Sequence, residues 1–153
     1  MSTIFKNIEG HDALTSAMAF ALYELDKKFF PTPWSIESWS QLFHGHDRSL
    51  MVALEHHELI GFSLFDLSRA DSFAHLLKIV VHPEYRGKGL ARHLLEHDLV
   101  SLRTVGIHHF FLEVEDDNHA AQKLYQNCGF KVIHRKKDFY GNGRGALIMT
   151  ADF

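Results

Sequence analysis

The chain is poor in cysteine and proline, and it lacks long apolar runs and any excess of positive charge. One cysteine, Cys128, excludes an internal disulfide and points to a reducing, cytoplasmic setting. Its three prolines leave no proline-rich linker, and no repeat or low-complexity stretch marks a boundary. Residues 1–153 are therefore expected to form a single domain. No run reaches the ~18 apolar residues of a membrane span, and Met1 to Gly10 has no apolar stretch of the signal-peptide kind. No membrane partner is expected. Sixteen Lys and Arg against nineteen Asp and Glu leave a net charge of −3, so no overall basic field points to nucleic acid.

What is present is core material. Hydrophobic residues make up 46% of the chain, including thirteen Phe, which suits a compact fold rather than a disordered one. A domain of this length buries roughly 70% of the surface its unfolded chain exposes, so neither metal nor disulfide is needed to fold it. Thirteen histidines are scattered, some as pairs such as His56-His57 and His108-His109.

Periodicity divides the chain. Thr3 to Ile8 alternates as a strand. His11 to Phe30 carries Leu14, Met18, Ala21, Leu22 and Leu25 at helical spacing, and Pro31 and Pro33 stop it. Ser35 predicts the N-cap of a short helix through Trp39 and Phe43. Ser49–Glu55 and Leu59–Asp66 read as a hairpin around His56-His57, and Ser72–Val81 as a third strand. Gly87 to Thr104 is helical, with Ala91, Leu95, Leu99 and Leu102 as its apolar stripe. His108–Glu115 is a strand, and Asn118–Cys128 a helix ended by Gly129. Phe130–Lys137 and Ala146–Asp152 close the chain around Gly141-Asn142-Gly143. This alternation predicts a mixed α/β architecture, a sheet with helices on its faces.

The most informative stretch runs from Leu76 to Ala91. An apolar strand enters a glycine-containing loop, Arg86-Gly87-Lys88-Gly89, which opens a helix. Glycine lets the backbone turn and approach an anion, and the first helical N–H groups and the helix dipole favour negative charge. Arg86 and Lys88 add full charges. The pattern is that of a phosphate site, distinct from the NTPase and dinucleotide loops.

Arg86-Gly87-Lys88-Gly89-Leu90-Ala91 resembles the coenzyme A signature of the GNAT family of N-acetyltransferases, Arg/Gln-x-x-Gly-x-Gly/Ala. Asn118-His119-Ala120-Ala121-Gln122-Lys123-Leu124-Tyr125-Gln126-Asn127-Cys128-Gly129-Phe130 resembles that family's second signature. Within the family, Pro33-Trp34-Ser35 and Leu112-Glu113-Val114 are similar to the ribosomal-protein alanine N-acetyltransferase (RimI-like) group. The resemblance is densest from Leu76 to Phe130.

It implies a mixed, mostly antiparallel twisted sheet of about seven strands flanked by about four helices. It implies acetyl-CoA as co-substrate and no metal. Ile79, Val80 and Val81 would meet the acetyl and pantetheine arm, while Arg86, Gly87, Lys88, Gly89, Leu90, Ala91 and Arg92 would cradle the pyrophosphate. Asn118 would contact the coenzyme arm. Glu113 would be the general base, Tyr125 the general acid at the coenzyme sulfur, and Trp34, Glu113 and Tyr140 would face the acceptor. The acceptor amine is a protein N-terminus or a small molecule, and the protein a monomer or homodimer.

The chemistry requires such groups. An α-amino group, which ordinarily titrates at ~7.7–8.0, must lose a proton before attacking a thioester, and the departing thiolate must gain one. Backbone N–H groups of Ile79–Val81 can polarise the carbonyl. One departure weakens a peptide acceptor: Phe139-Tyr140 keeps an aromatic pair of the alanine group, but Arg144-Gly145 stands where that group carries acidic residues. Glu115-Asp116-Asp117, beside the expected base, would draw a cationic acceptor. Three functions remain: an N-terminal acetyltransferase, a small-amine acetyltransferase (polyamine, amino acid or aminoglycoside), and a non-catalytic acyl-CoA-binding module. His93-Leu94-Leu95-Glu96-His97 fits an inverted zinc-peptidase pattern, but its histidines face away from the apolar stripe and no third ligand is indicated.

Overall fold

The structure, a computed structural model, describes residues 2–153. Strand β1 spans Ile4–Ile8, and helix α1 spans Ser16–Phe29. The helix starts later than its apolar spacing suggests, because His11–Ala13 forms a separate 3-10 turn and Thr15 caps the helix, its Oγ1 accepting from the Met18 N–H at 3.1 Å. Phe30, the residue before Pro31, is already extended. Ser35 accepts from the Ser38 N–H at 3.2 Å and caps α2, Ile36–Ser40.

Strands β2, Arg48–Glu55, and β3, Glu58–Ser68, form the expected hairpin. Both turn residues, His56 and His57, have positive φ, which the right-handed twist of a two-residue hairpin demands. Strand β4 is Phe73–Val81, β5 His109–Glu115, β6 Lys131–Lys136 and β7 Ala146–Asp152. Helix α3, Leu90–Thr104, connects β4 to β5, and α4, His119–Asn127, connects β5 to β6. The seven strands make one mixed sheet in the order β1-β2-β3-β4-β5-β7-β6. Among the described residues only β4 and β5 pair in parallel. The expected α/β fold is present, with four helices.

Alternate residues of β2 reach opposite clusters. Leu50 and Val52 pack with Leu22 and Leu25 of α1 and Trp39 of α2, whereas Met51 and Ala53 pack with Leu90 and Leu94 of α3. Further along that second face, Leu95, Leu99 and Tyr125 meet Leu112 and Val114 of β5. Each fully buried Leu contributes about 1.5–3 kcal/mol, and such burial fixes which way every strand faces. The sheet thus separates an α1/α2 side from an α3/α4 side.

Candidate active site

The single parallel contact is short. Strands β4 and β5 pair through Phe73–His109, Ala74–Phe110 and His75–Phe111, and no pairing continues between them beyond that point. Both strands run on, to Val81 and Glu115. The sheet opens there as a wedge. On its other edge β4 remains paired with β3 through Ile79, Val80 and Val81. Its backbone groups facing the wedge have no strand partner, which leaves them for a ligand.

At the end of β4 the chain makes a 3-10 turn, Pro83–Tyr85, and enters the glycine loop. Gly87 and Gly89 both have φ of +76°, with open space where a Cβ would sit. A side chain at either position would strain the backbone, so the loop needs glycine for its shape. Helix α3 begins at Leu90 rather than Gly87, with Gly89 as an N-cap that offers no side chain. The first bond back to the cap is His93 N–H to Gly89 C=O, at 3.0 Å, so the amides of Leu90, Ala91 and Arg92 precede the helical ladder. Arg86 Nε donates to the Val81 carbonyl at 3.1 Å and ties the loop to β4, and Lys88 lies 5.5 Å from the Tyr85 ring. Arg92 pairs with Glu96 at 3.5 Å. Amides, dipole and two loop cations together suit an anion of the pyrophosphate kind.

Glu113 lies on the opposite side of the sheet from α3 and α4, between the buried Leu112 and Val114 of β5. Its two carboxylate oxygens lie 2.7 and 2.9 Å from His75 Nε2. His75 stacks on Phe111 with ring centroids 4.0 Å apart, and Phe111 stacks on Phe73 at 4.6 Å. This aromatic file holds the imidazole where the wedge begins. In front of Glu113 an open cleft of about 420 Å³ is lined by Phe111, His134, Lys136, Phe139 and Ile148.

Tyr125 belongs to the α3/α4 side. Its ring is 7% exposed and meets Phe130 edge-on at 6.1 Å. Burial pushes the phenol pKa well above its usual value, with smaller contributions from Tyr140 and Cys128, so the hydroxyl keeps its proton at neutral pH. Tyr140, in the β6–β7 hairpin, is also raised, first by burial and then by the charges of Glu113 and Glu115, with Arg144 opposing. Tyr140 is therefore close enough to feel the charges of Glu113 and Glu115, and to influence Tyr125. Asn118 Oδ1 accepts from the Ala121 N–H at 3.2 Å and caps α4. Gln122 Nε2 donates to the Glu115 and Asp116 carbonyls, both at 3.1 Å, locking the turn from β5 into α4.

The acetyltransferase (GNAT) family profile matches residues 19–130. The chain belongs to the GNAT family. It is an N-acetyltransferase in class. The chain is 30% identical, over 85% of its length and 88% of the relative's, to the [Ribosomal protein bS18]-alanine N-acetyltransferase of Salmonella typhimurium. Its fold is similar to the crystal structure of the ribosomal-protein alanine N-acetyltransferase from Escherichia coli, with TM-score 0.84 and 24% identity over 99% and 94% of the two chains. It is also similar to Arabidopsis thaliana NAA60 in complex with acetyl-CoA, with TM-score 0.81 and 19% identity over 99% of each chain.

Two features of this GNAT chain are not legible from residue spacing: the His75–Glu113 pair and a buried ion pair across the α1/α2 side. Lys78 Nζ lies 2.9 Å from Asp26 Oδ1 and donates to the Thr32 carbonyl at 2.9 Å. Asp26 Oδ2 accepts from the Trp34 N–H at 2.8 Å and from Trp39 Nε1 at 2.9 Å. Burial lowers the Lys78 pKa, opposed by Asp26. This network pins the α1–α2 connection onto β4 beside Ile79. Trp34 is part of it, its ring 4.7 Å from Lys78 and 5.0 Å from Arg48. Trp34 lines a cleft with Ser38, Gln41, His44, His46 and Arg48, separate from the one in front of Glu113. Arg144 pairs with Glu115 at 2.5 Å and Arg135 with Asp116 at 2.7 Å. A Cβ at Gly145 would sit 2.6 Å from Asp116, so glycine there lets the hairpin close on the acidic turn.

His93 and His97 are exposed and pack against Phe5, His97 stacked at 4.4 Å. Among the described residues no group of three or more His, Cys, Asp or Glu is placed to hold a metal. Among them, too, no helix is long and apolar enough to cross a membrane.

Proposed function

We propose that this enzyme transfers the acetyl group of acetyl-CoA to a protein N-terminal α-amine, with residues 1–153 acting as one catalytic unit. Acetyl-CoA, when bound, supplies an activated thioester. The chain does the rest. Arg86, Gly87, Lys88, Gly89, Leu90, Ala91 and Arg92 hold the pyrophosphate, and Asn118 meets the coenzyme arm. Ile79, Val80 and Val81 bind the arm through backbone groups, and an N–H among them polarises the thioester carbonyl. Glu113 takes the proton of the acceptor ammonium, directly or through a water, and His75 orients the carboxylate that does so. The amine nitrogen bonds to the carbonyl carbon and the carbon–sulfur bond breaks; Tyr125 gives its proton to sulfur and is reprotonated by the second proton that the nitrogen loses on becoming an amide. Tyr140 flanks the acceptor, whereas Trp34, in a separate cleft, acts at a distance by holding the α1–α2 connection against Lys78.

One observation carries the reading: β4 and β5 part beyond His75 and Phe111, with Glu113 in an open cleft on one face of the sheet and Tyr125, whose phenol keeps its proton, packed on the other. A base and an acid are needed on opposite sides of the breaking bond, and holding both reactants in one gap removes much of the entropic barrier. The N-terminal acceptor is supported by the relative of Salmonella typhimurium, whose name places it on a protein alanine. The test is acetylation of an Ala-starting peptide beside a panel of polyamines, amino acids and aminoglycosides. The proposal expects the highest kcat/KM for the peptide. Preference for a small amine contradicts it, and binding of acetyl-CoA without turnover of any acceptor contradicts it more deeply.

A further inference from the structure

The acceptor cleft is charged in an uneven way. Its inner end is the Glu113 carboxylate, and its outer end carries His134 and Lys136 of β6. Strand β6 is at the edge of the sheet, and all six of its residues are exposed. Ordinary alternation would not aim these two side chains at Glu113. The pairing of β6 with β7 runs Lys131–Thr150 and Val132–Met149, then skips Ile133 and resumes as His134–Ile148 and Lys136–Ala146. Ile148 in turn pairs with Glu113, and Ala146 with Glu115. The skipped residue is a bulge, and its effect is to move His134 and Lys136 onto the face that carries Glu113. Without it Ile133 would oppose Ile148, and the two basic side chains would point to the other face.

The neighbouring arginines are paired with carboxylates and these two side chains are not. Arg135 is paired with Asp116 and Arg144 with Glu115. Among the described residues no carboxylate lies within ion-pair distance of His134 or Lys136, and Lys136 instead rests 5.7 Å from the Phe139 ring at the cleft mouth. The dimensions suit a short peptide. Neighbouring strands are about 4.8 Å apart, so His134 lies roughly 10 Å from Glu113 across β7. The second residue of an acceptor, about 3.8 Å along the chain from the first Cα, carries its side chain into that interval.

We propose that the acceptor is an N-terminus followed by an acidic side chain, with the α-amine at Glu113 and the carboxylate between His134 and Lys136. This rests on the N-terminal reading above and names the acceptor class within it. The interaction is partly solvated, so it acts through placement and encounter as much as through net attraction.

Three peptides that share an N-terminal Ala and differ only in carrying Glu, Gln or Lys at the second position test it, at low and high salt. The wild-type protein is expected to favour Glu over Lys by about five- to tenfold in kcat/KM at low salt, less at high salt. Lys136→Glu is expected to abolish or reverse that preference, while Lys123→Glu, a charge reversal of the same size on exposed α4, is expected to keep it. Circular dichroism and acetyl-CoA binding check that each variant is folded. Equal rates for the three peptides, a preference for Lys, or a Glu preference that survives Lys136→Glu overturns the acidic-acceptor inference and leaves the N-terminal reading standing. Failure to acetylate any peptide, with turnover of small amines, overturns both.

Discussion

The two sides of the sheet each bury one aspartate and handle it differently. Asp26, on the α1/α2 side, receives a lysine ammonium and two N–H donors. Asp98, inside α3 on the other side, receives only the Ser63 hydroxyl, and its Oδ1 has no partner among the described residues. Burial pushes the Asp98 pKa up to about 8, with the Ser63 contact opposing. The α1/α2 side is thus organised by a satisfied polar network that fixes the α1–α2 connection. The α3/α4 side is organised by leucines and by backbone geometry, with one carboxyl that burial keeps protonated below about pH 8. A charge is held where a loop must be positioned, and it is avoided where a helix must only be packed.

The largest effects are expected where the two sides meet. Glu113→Gln and Tyr125→Phe should each lower kcat by ~10²–10⁴-fold while acetyl-CoA binding is kept, measured by steady-state kinetics and calorimetry. Unchanged kcat in both would remove their assigned roles. Next comes the Asp26 network. Asp26→Ala leaves Lys78 buried and unpaired and should cost about 3–5 kcal/mol in urea unfolding. A loss below about 1 kcal/mol would show that the two buried aspartates are not so different after all.

Asp98 should respond with the opposite sign. Its folded pKa is raised above the unfolded value, so the native state binds the extra proton between about pH 4 and 8 and stability falls as pH rises through that window. Asp98→Asn removes this dependence and should stabilise the protein at pH 8, with little change at pH 4. A Tm difference that does not vary with pH would contradict the burial account. The smallest effect is expected at the loop, where Gly89→Ala forces a side chain into a left-handed conformation at ~1–2 kcal/mol, read as a weaker acetyl-CoA Kd and a modestly lower Tm.

What the sequence makes legible is local. The cap at Ser35, the His56-His57 turn and the Arg86–Ala91 loop depend on residues a few positions apart, and each is present. Helices α1 and α3 start later than apolar spacing predicts because local geometry overrides it, through the Thr15 cap in one case and the positive φ of Gly87 and Gly89 in the other. The rest depends on pairing register. His75 meets Glu113 because β4 and β5 run parallel for three residues and then part. Lys78 meets Asp26 across 52 positions, and Lys136 faces the cleft only because of the bulge at Ile133. No spacing in one dimension carries those contacts, although Lys78 in the middle of an apolar strand is a signal that a buried partner must exist.

The wedge between β4 and β5, with its glycine loop, is the expected seat of acetyl-CoA. Calorimetric titration of acetyl-CoA into the folded wild-type protein and into Glu113→Gln tests it most directly. The account predicts one site per chain with the same affinity in both. No detectable binding to either folded protein would contradict it.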